Sequence, residues 1–112
     1  MIDYTRLQQI YGDDKSYIAE MFETFLQEAL PDFALIPDFI SGQDWNGLAQ
    51  LIHKIKPSLG MVGLSDLEQQ LNLIEFQAKT TPDALKIHAL WQEAQHDLEK
   101  AVLALRKAMA DF

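Results

Sequence analysis

Apolar residues recur every three or four positions along almost the whole chain, and this spacing restricts the fold to packed helices. No segment shows the sustained period-two alternation that is typical of a half-buried strand. Four long segments carry an apolar stripe, and a shorter segment from Tyr4 to Tyr11 precedes them. Because each stripe must be buried against another element, the sequence predicts an all-α fold, an antiparallel four-helix bundle with a short additional N-terminal helix.

Two prolines, Pro31 and Pro37, interrupt the second segment. Each removes a backbone donor, and we predict one bent helix that ends near Ser41. The first helix should end at Gly12. The second should then be capped by one of three residues that follow this glycine, Asp13, Asp14 or Ser16.

Capping and turn residues also set the bounds of the last three helices, which we predict over 45–62, 65–79 and 82–110. Asp44 should cap the first of these, Ser65 or Asp66 should start the second, and Pro82 should lie near the first turn of the third. The residues expected to fill the core from these helices are Leu48, Ile52, Ile55, Leu59 and Val62, then Leu67, Leu71, Ile74 and Ala78, then Ile87, Trp91, Ala94, Leu98, Ala101, Val102, Leu105 and Met109.

Length and composition indicate a single domain over residues 1–112. The chain has 48% hydrophobic and 23% charged residues, as expected of a soluble globular protein, and no cysteine. The missing cysteine excludes disulfides and thiolate metal sites. The N-terminus lacks a signal-peptide pattern, and no apolar run of about 18 residues is present. We therefore expect a cytoplasmic, monomeric protein without membrane contact.

Charge is distributed unevenly along the chain. The net charge of −8 argues against nucleic acid as a partner. Yet no carboxylate occurs from Trp45 to Ser65, the stretch that holds His53, Lys54 and Lys56. An imidazole in an acid-free stretch of an acidic protein suits an encounter with a negatively charged group.

The third predicted helix places His53 away from its apolar stripe. At about 100° per residue, His53 shares a face with Ala49, Lys56, Pro57 and Gly60, roughly opposite the core residues. The small neighbours should leave the imidazole accessible, and Lys56, three residues on, can reach an anion attached to the ring. The alternative is an ordinary solvated histidine whose lysine neighbour arises by chance.

Two residues of the fourth helix can complete a site around His53. Glu75 and Lys79 are four residues apart and share a helix face, which an antiparallel neighbour can bring beside the imidazole. Glu75 would then accept a hydrogen bond from one ring nitrogen and leave the other as a nucleophile, and Lys79 would add positive charge. The alternative is a solvated ion pair with little effect on stability.

Other chemistries find little support in the sequence. His88 and His96 are too far apart on the last helix to bind one metal ion together, so we expect no metal site. There is no glycine-rich phosphate loop, no Ser–His–Asp arrangement and no spacing of paired carboxylates.

The segment HKIKPS at residues 53–58, followed by Gly63, resembles the H-x-L-K-G-S/A…G signature of histidine-containing phosphotransfer (HPt) domains. The approach to the histidine, with Asp44, Trp45 and Leu48, resembles the family's D-W-x-x-L pattern. The resemblance covers nearly the whole chain, and together with the helical segments and the length it implies an HPt domain.

The resemblance implies a role for each residue of the site. His53 is the phosphoryl acceptor, Lys56 neutralises the phosphate, Glu75 orients the imidazole and Lys79 supplies auxiliary positive charge. Such a protein takes a phosphoryl group from a receiver-domain aspartate and passes it to another receiver. It is a phosphotransfer intermediate of two-component phosphorelays rather than a kinase with its own ATP site.

The resemblance also implies the partners, which are receiver domains of response regulators and of hybrid histidine kinases. The domain needs no cofactor of its own, and the divalent cation is expected on the receiver. We expect a receiver to dock on an exposed face formed by Ala49, Pro57, Gly60 and Met61.

Two residues depart from the family pattern. Pro57 stands where glycine is usual, and Glu75 where a neutral polar residue is common. Pro57 cannot donate to the carbonyl of His53, so a local bend is expected there. The alternative function is a non-catalytic adaptor that binds a receiver or a kinase without phosphotransfer, and in that interpretation the two departures are signs of lost chemistry. A purely structural bundle is a further alternative.

Overall fold

The computed structural model describes residues 2–112, and nearly all of them are helical. The elements follow in the order α1 (Tyr4–Tyr11), α2 (Lys15–Thr24), a π-helical turn (Phe25–Ala29), α3 (Leu30–Phe33), α4 (Ile36–Ser41), α5 (Trp45–Met61), α6 (Ser65–Lys79) and α7 (Ala84–Asp111). Residues 2–112 contain no strand. The prediction of an all-α helical bundle with a short leading helix is therefore confirmed.

The second predicted helix ends at Ser41 as expected but is not continuous. The N–H of Leu30 donates to the carbonyl of Phe25, five residues back, so the helix widens just before Pro31. This wide turn accommodates Pro31, which has no N–H and whose ring crowds the carbonyl four residues earlier. A two-residue turn then separates α3 from α4, and Pro37 lies in the first turn of α4, where no intrahelical bond is lost.

Aspartates cap α2, α5 and α7. Asp14 and Asp44 each accept a hydrogen bond from the backbone N–H three residues on, at 3.0 Å. Asp83 does the same for α7, which begins at Ala84. Pro82 lies directly before this cap, near the first turn as predicted, and the helix begins two residues later than the predicted start because Asp83 satisfies its free N–H groups.

The core lies where the apolar stripes predicted it. All the stripe residues named for α5 and α6 are buried, and in α7 only Val102 and Met109 are partly exposed. α5 packs mainly on α6 and α6 on α7, while α2 contacts α7 and α4 contacts α5. This arrangement places α6 beside the outward face of α5. No helix within residues 2–112 is long and apolar enough to cross a membrane.

The short helix α1 is bound to the C-terminal end of α5. Arg6 Nε donates to the carbonyl of Gly60 at 3.1 Å, and Tyr11 Oη donates to the carbonyl of Met61 at 2.8 Å. The last carbonyls of a helix have no intrahelical partner, so these bonds stabilise the end of α5. Gly63, with φ 75°, then turns the chain into α6.

Candidate functional site

His53 projects from the middle of α5 into solvent, and its side chain is 71% exposed. The adjacent Lys54 and Pro57 are exposed as well, whereas Ile52 and Ile55 lie in the core. Burial of the apolar stripe therefore fixes the rotation of α5, and the rotation directs the imidazole outward. The prediction that His53 points away from the core is confirmed.

Glu75 of α6 lies beside the imidazole, and its Oε2 is 3.1 Å from His53 Nδ1. Glu75 is 4% exposed and is the one buried charged residue among residues 2–112. An ionised carboxylate only accepts hydrogen bonds, so we infer that Nδ1 carries the proton. In the neutral ring the lone pair is then on Nε2, for which residues 2–112 provide no hydrogen-bond partner.

Both predicted lysines bind Glu75. Lys56 Nζ lies 2.6 Å from Oε1, and Lys79 Nζ lies 2.6 Å from Oε2. The structure thus brings His53, Lys56, Glu75 and Lys79 into one cluster. The alternative of a solvated ion pair between Glu75 and Lys79 is wrong, because packing of α6 against α5 buries the carboxylate.

Two effects act on the pKa of the Glu75 carboxyl in opposite directions. Burial raises this pKa, while the hydrogen bonds from Lys56 and Lys79, with their positive charges, lower it more strongly. The net result lowers the pKa of Glu75 from 4.5 to about 2. Glu75 is therefore a paired carboxylate at neutral pH, and a buried charge requires such pairing.

Two of the four residues predicted to form an exposed docking face are buried, so that expectation is wrong for Ala49 and Gly60. At about 100° per residue both lie at an edge of α5 between its apolar stripe and its outward face, so their exposure depends on neighbouring elements. Neighbouring elements cover that edge. A Cβ at Gly60 would lie 2.7 Å from Arg6 Nη2, so α1 occupies the space above it. Pro57 and Met61 are exposed, as predicted.

One polar partner of the site was not among the predicted residues. Asn72 Oδ1 accepts a hydrogen bond from Lys56 Nζ at 2.8 Å. Asn72 lies three residues before Glu75 and seven before Lys79, so the three share one face of α6. This helical spacing is the signal that could have identified Asn72 from the sequence.

A shallow groove adjoins the exposed face of α5, between that helix and the segment formed by α2 and the π-helical turn. Its volume is about 280 Å³. The residues that line it are mostly apolar and are Met21, Thr24, Phe25, Glu28, Ala29, Ser58, Met61 and Val62. Met61 therefore belongs both to the predicted docking face and to this groove.

The remaining histidines lie apart from this cluster. His88 Nε2 is 3.2 Å from Gln92 Nε2 on the exposed side of α7, and His96 is exposed on the same helix. In the described part of the chain, no group of three or more His, Cys, Asp or Glu side chains is arranged to hold a metal ion.

His53 is an exposed imidazole on a helical bundle, its Nδ1 is held by a carboxylate, and a lysine lies one turn away. These features define a class of protein suited to carry a group on Nε2. A family model of the Hpt domain matches residues 20–111, and the chain belongs to this family. Hpt domains serve histidine phosphotransfer in phosphorelays and interact with receiver domains. Neither the curated proteins nor the solved structures include a match to this chain.

Proposed function

We propose that His53 accepts a phosphoryl group from the phosphorylated aspartate of one receiver domain and passes it to the aspartate of another. The observation that carries this proposal is the state of the imidazole. It is exposed, its Nδ1 is bound to the buried Glu75, and its Nε2 has no partner within residues 2–112. A nucleophile held in this way needs no reorientation before attack.

The proposed step breaks one bond and forms one. The lone pair of His53 Nε2 attacks the phosphorus of the aspartyl phosphate in line, the Nε2–P bond forms, and the aspartate leaves as a carboxylate. The ring becomes positively charged, while its Nδ1–H stays bonded to Glu75. The carboxylate of Glu75 therefore favours the product ring by charge and by hydrogen bonding.

Lys56 is the residue we assign to the phosphoryl oxygens. It lies on the same helix as His53, three residues on, so its ammonium can approach a group attached to the outer edge of the ring. Because transfer passes through a loose transition state, positioning and charge stabilisation are the main contributions of the protein. We assign the divalent cation to the receiver, and we treat the chain as a phosphotransfer intermediate without an ATP site of its own.

The docking face in this proposal differs from the predicted one. Pro57 and Met61 remain, and the buried Ala49 and Gly60 are replaced by the groove beside α5, with Met21. Apolar contacts here would hold the receiver beside His53, on the side towards the C-terminal end of α5.

The test uses a panel of receiver domains that carry a labelled aspartyl phosphate. We expect the wild-type chain to take up label that resists base and is lost in acid, as a phosphohistidine does. His53→Gln should take up none. His96→Gln, which removes an exposed histidine of α7, is the matched control and should be labelled like wild type.

The outcomes separate the alternatives. Equal labelling of His53→Gln and wild type would contradict the assignment of His53. Receiver binding without label on wild type would instead favour the non-catalytic adaptor, and a chain that binds no receiver would favour a purely structural bundle.

A further inference from the structure

Glu75 uses its two oxygens differently. Oε1 contacts Lys56 alone among the charged groups, whereas Oε2 is shared between His53 Nδ1 and Lys79. Lys56 has a second acceptor in Asn72. Both ammonium groups are therefore bound to the carboxylate on the Nδ1 side of the ring, and the phosphoryl group would arrive on the Nε2 side.

The charges of the cluster explain why two lysines are present. Glu75 contributes one negative charge and Lys56 and Lys79 one positive charge each, so the cluster with a neutral His53 carries a net charge of +1. A phosphoryl group adds about two negative charges. If Lys56 then turned to the phosphoryl group and Lys79 were absent, a buried carboxylate would be left without an ammonium partner, close to a new dianion. A buried carboxylate left with the ring as its one partner is less stable than a carboxylate that also binds an ammonium.

We propose that Lys79 is a positioning residue that keeps Glu75 neutralised while the ammonium of Lys56 moves from Glu75 to the phosphoryl group on His53. This inference rests on the function proposed above. Lys79 is suited to remain in place because it lies four residues after Glu75 on the same helix and binds the oxygen that also holds the ring. Lys56 is suited to move because it belongs to the helix of His53.

The proposal assigns to Lys79 an action through Glu75 and no contact with the phosphoryl group. The two possibilities differ in their dependence on the carboxylate. If Lys79 acts through Glu75, its removal lowers the amount of phosphoryl group held on His53 only when residue 75 is charged. If Lys79 contacts the phosphoryl group directly, its removal lowers that amount equally when residue 75 is glutamine.

A double-mutant cycle measures this dependence. Wild type, Lys79→Gln, Glu75→Gln and the double variant are each equilibrated with a labelled receiver, and the ratio of label on His53 to label on the receiver is determined. We expect Lys79→Gln to lower this ratio roughly three- to fivefold when Glu75 is present, the upper part of the range for exposed ion pairs. In the Glu75→Gln background the same change should alter the ratio by less than about twofold.

Two controls accompany the cycle. Lys79→Arg keeps the charge and should restore the wild-type ratio, and Lys107→Gln, at an exposed lysine of α7, should leave it unchanged. Far-UV circular dichroism of each variant verifies that the bundle is folded. An equal effect of Lys79→Gln in both backgrounds, or no effect in either, overturns the proposal.

A second measurement avoids the receiver. His53 is phosphorylated chemically with phosphoramidate, and the half-life of the phosphohistidine is compared across the four proteins of the cycle. We expect Lys79→Gln to shorten the half-life roughly three- to fivefold only when Glu75 is present. Coupling seen here without any transfer from receivers would support the role of Lys79 and contradict the proposed function. Transfer from receivers without coupling between Lys79 and Glu75 would support the proposed function and contradict the role of Lys79.

Discussion

At the scale of single residues, the property that distinguishes this site is a buried glutamate in contact with the histidine. A neutral side chain at position 75 could hold the ring, but it would not attract two lysines. The carboxylate fixes Nδ1 and collects Lys56 and Lys79 on one side of the ring. It therefore links the orientation of the imidazole to the position of the lysine that we propose neutralises the phosphoryl group.

The pKa of Glu75 leads to a prediction about acid stability. Because this pKa is lowered from 4.5 to about 2, the folded protein binds the proton of Glu75 less readily than the unfolded chain does. The stabilisation is fully present above the unfolded value of 4.5 and is lost as the pH falls towards 2. We expect Glu75→Gln to be less stable than wild type at neutral pH, and the difference to shrink through this window, since a protonated glutamate resembles glutamine.

Urea unfolding measures this difference, from about pH 7 down to the lowest pH at which both proteins are folded. Glu20→Gln, which changes an exposed glutamate of α2, is the matched control and should follow wild type throughout. A gap between Glu75→Gln and wild type that stays constant with pH would show that the carboxylate charge of Glu75 does not stabilise the fold.

At the scale of elements, the position of α5 depends on how its C-terminal end is bound. α1 donates hydrogen bonds to the carbonyls of Gly60 and Met61, and Gly63 turns the chain towards α6 with a positive φ. The matched Hpt region begins at residue 20, so α1 lies outside it. An element beyond the matched region thus supports the helix that carries His53.

The turn at Gly63 can be tested by adding one methyl group. A Cβ at Gly63 would lie 3.1 Å from Leu7 Cγ, on a backbone with φ 75° that L-residues rarely adopt. We expect Gly63→Ala to lower the free energy of unfolding by about 1–2 kcal/mol. Gly42→Ala is the matched control, because Gly42 has φ −80° and its added Cβ meets only Asp38 O at 3.4 Å. Chemical denaturation measures the free energy of unfolding of both variants. Equal decreases in the two would contradict this account of Gly63.

At the scale of the whole molecule, one contiguous core connects the helix of His53 with the helix of Glu75. The buried residues of α5, α6 and α7 belong to the same cluster, which also includes Leu7 of α1. A change in this core should therefore weaken every helix together, and the geometry of the site with them. The single domain over residues 1–112 stays a prediction.

Ile74→Ala tests that cooperativity. Ile74 has no exposed surface, so its truncation should cost about 2–5 kcal/mol. Circular dichroism should report the same shifted transition as the fluorescence of Trp45 on α5 and Trp91 on α7. Leu73→Ala, at the adjacent exposed position, is the matched control and should change the stability little. Two separated transitions would contradict a single cooperative unit.

Spacing along the chain was enough to predict the helices, their stripes and the outward direction of His53. These features are local, because helix geometry alone places residues three or four apart on one face. The prediction of one bent helix did not include the two-residue turn that separates α3 from α4, just before Pro37. The π-helical turn ahead of Pro31 depends on backbone adjustments that residue periodicity does not encode.

Packing between helices determined the features that spacing along the chain does not predict, namely which residues of the site are buried. Whether Glu75 is a solvated acid or a buried one depends on α6 lying against α5, and the burial of Gly60 depends on α1 lying over it. Neither contact is encoded in the spacing within one helix. The stretch around His53 is free of acids along the chain, yet the folded site contains a carboxylate, because α6 supplies it from 22 residues further on.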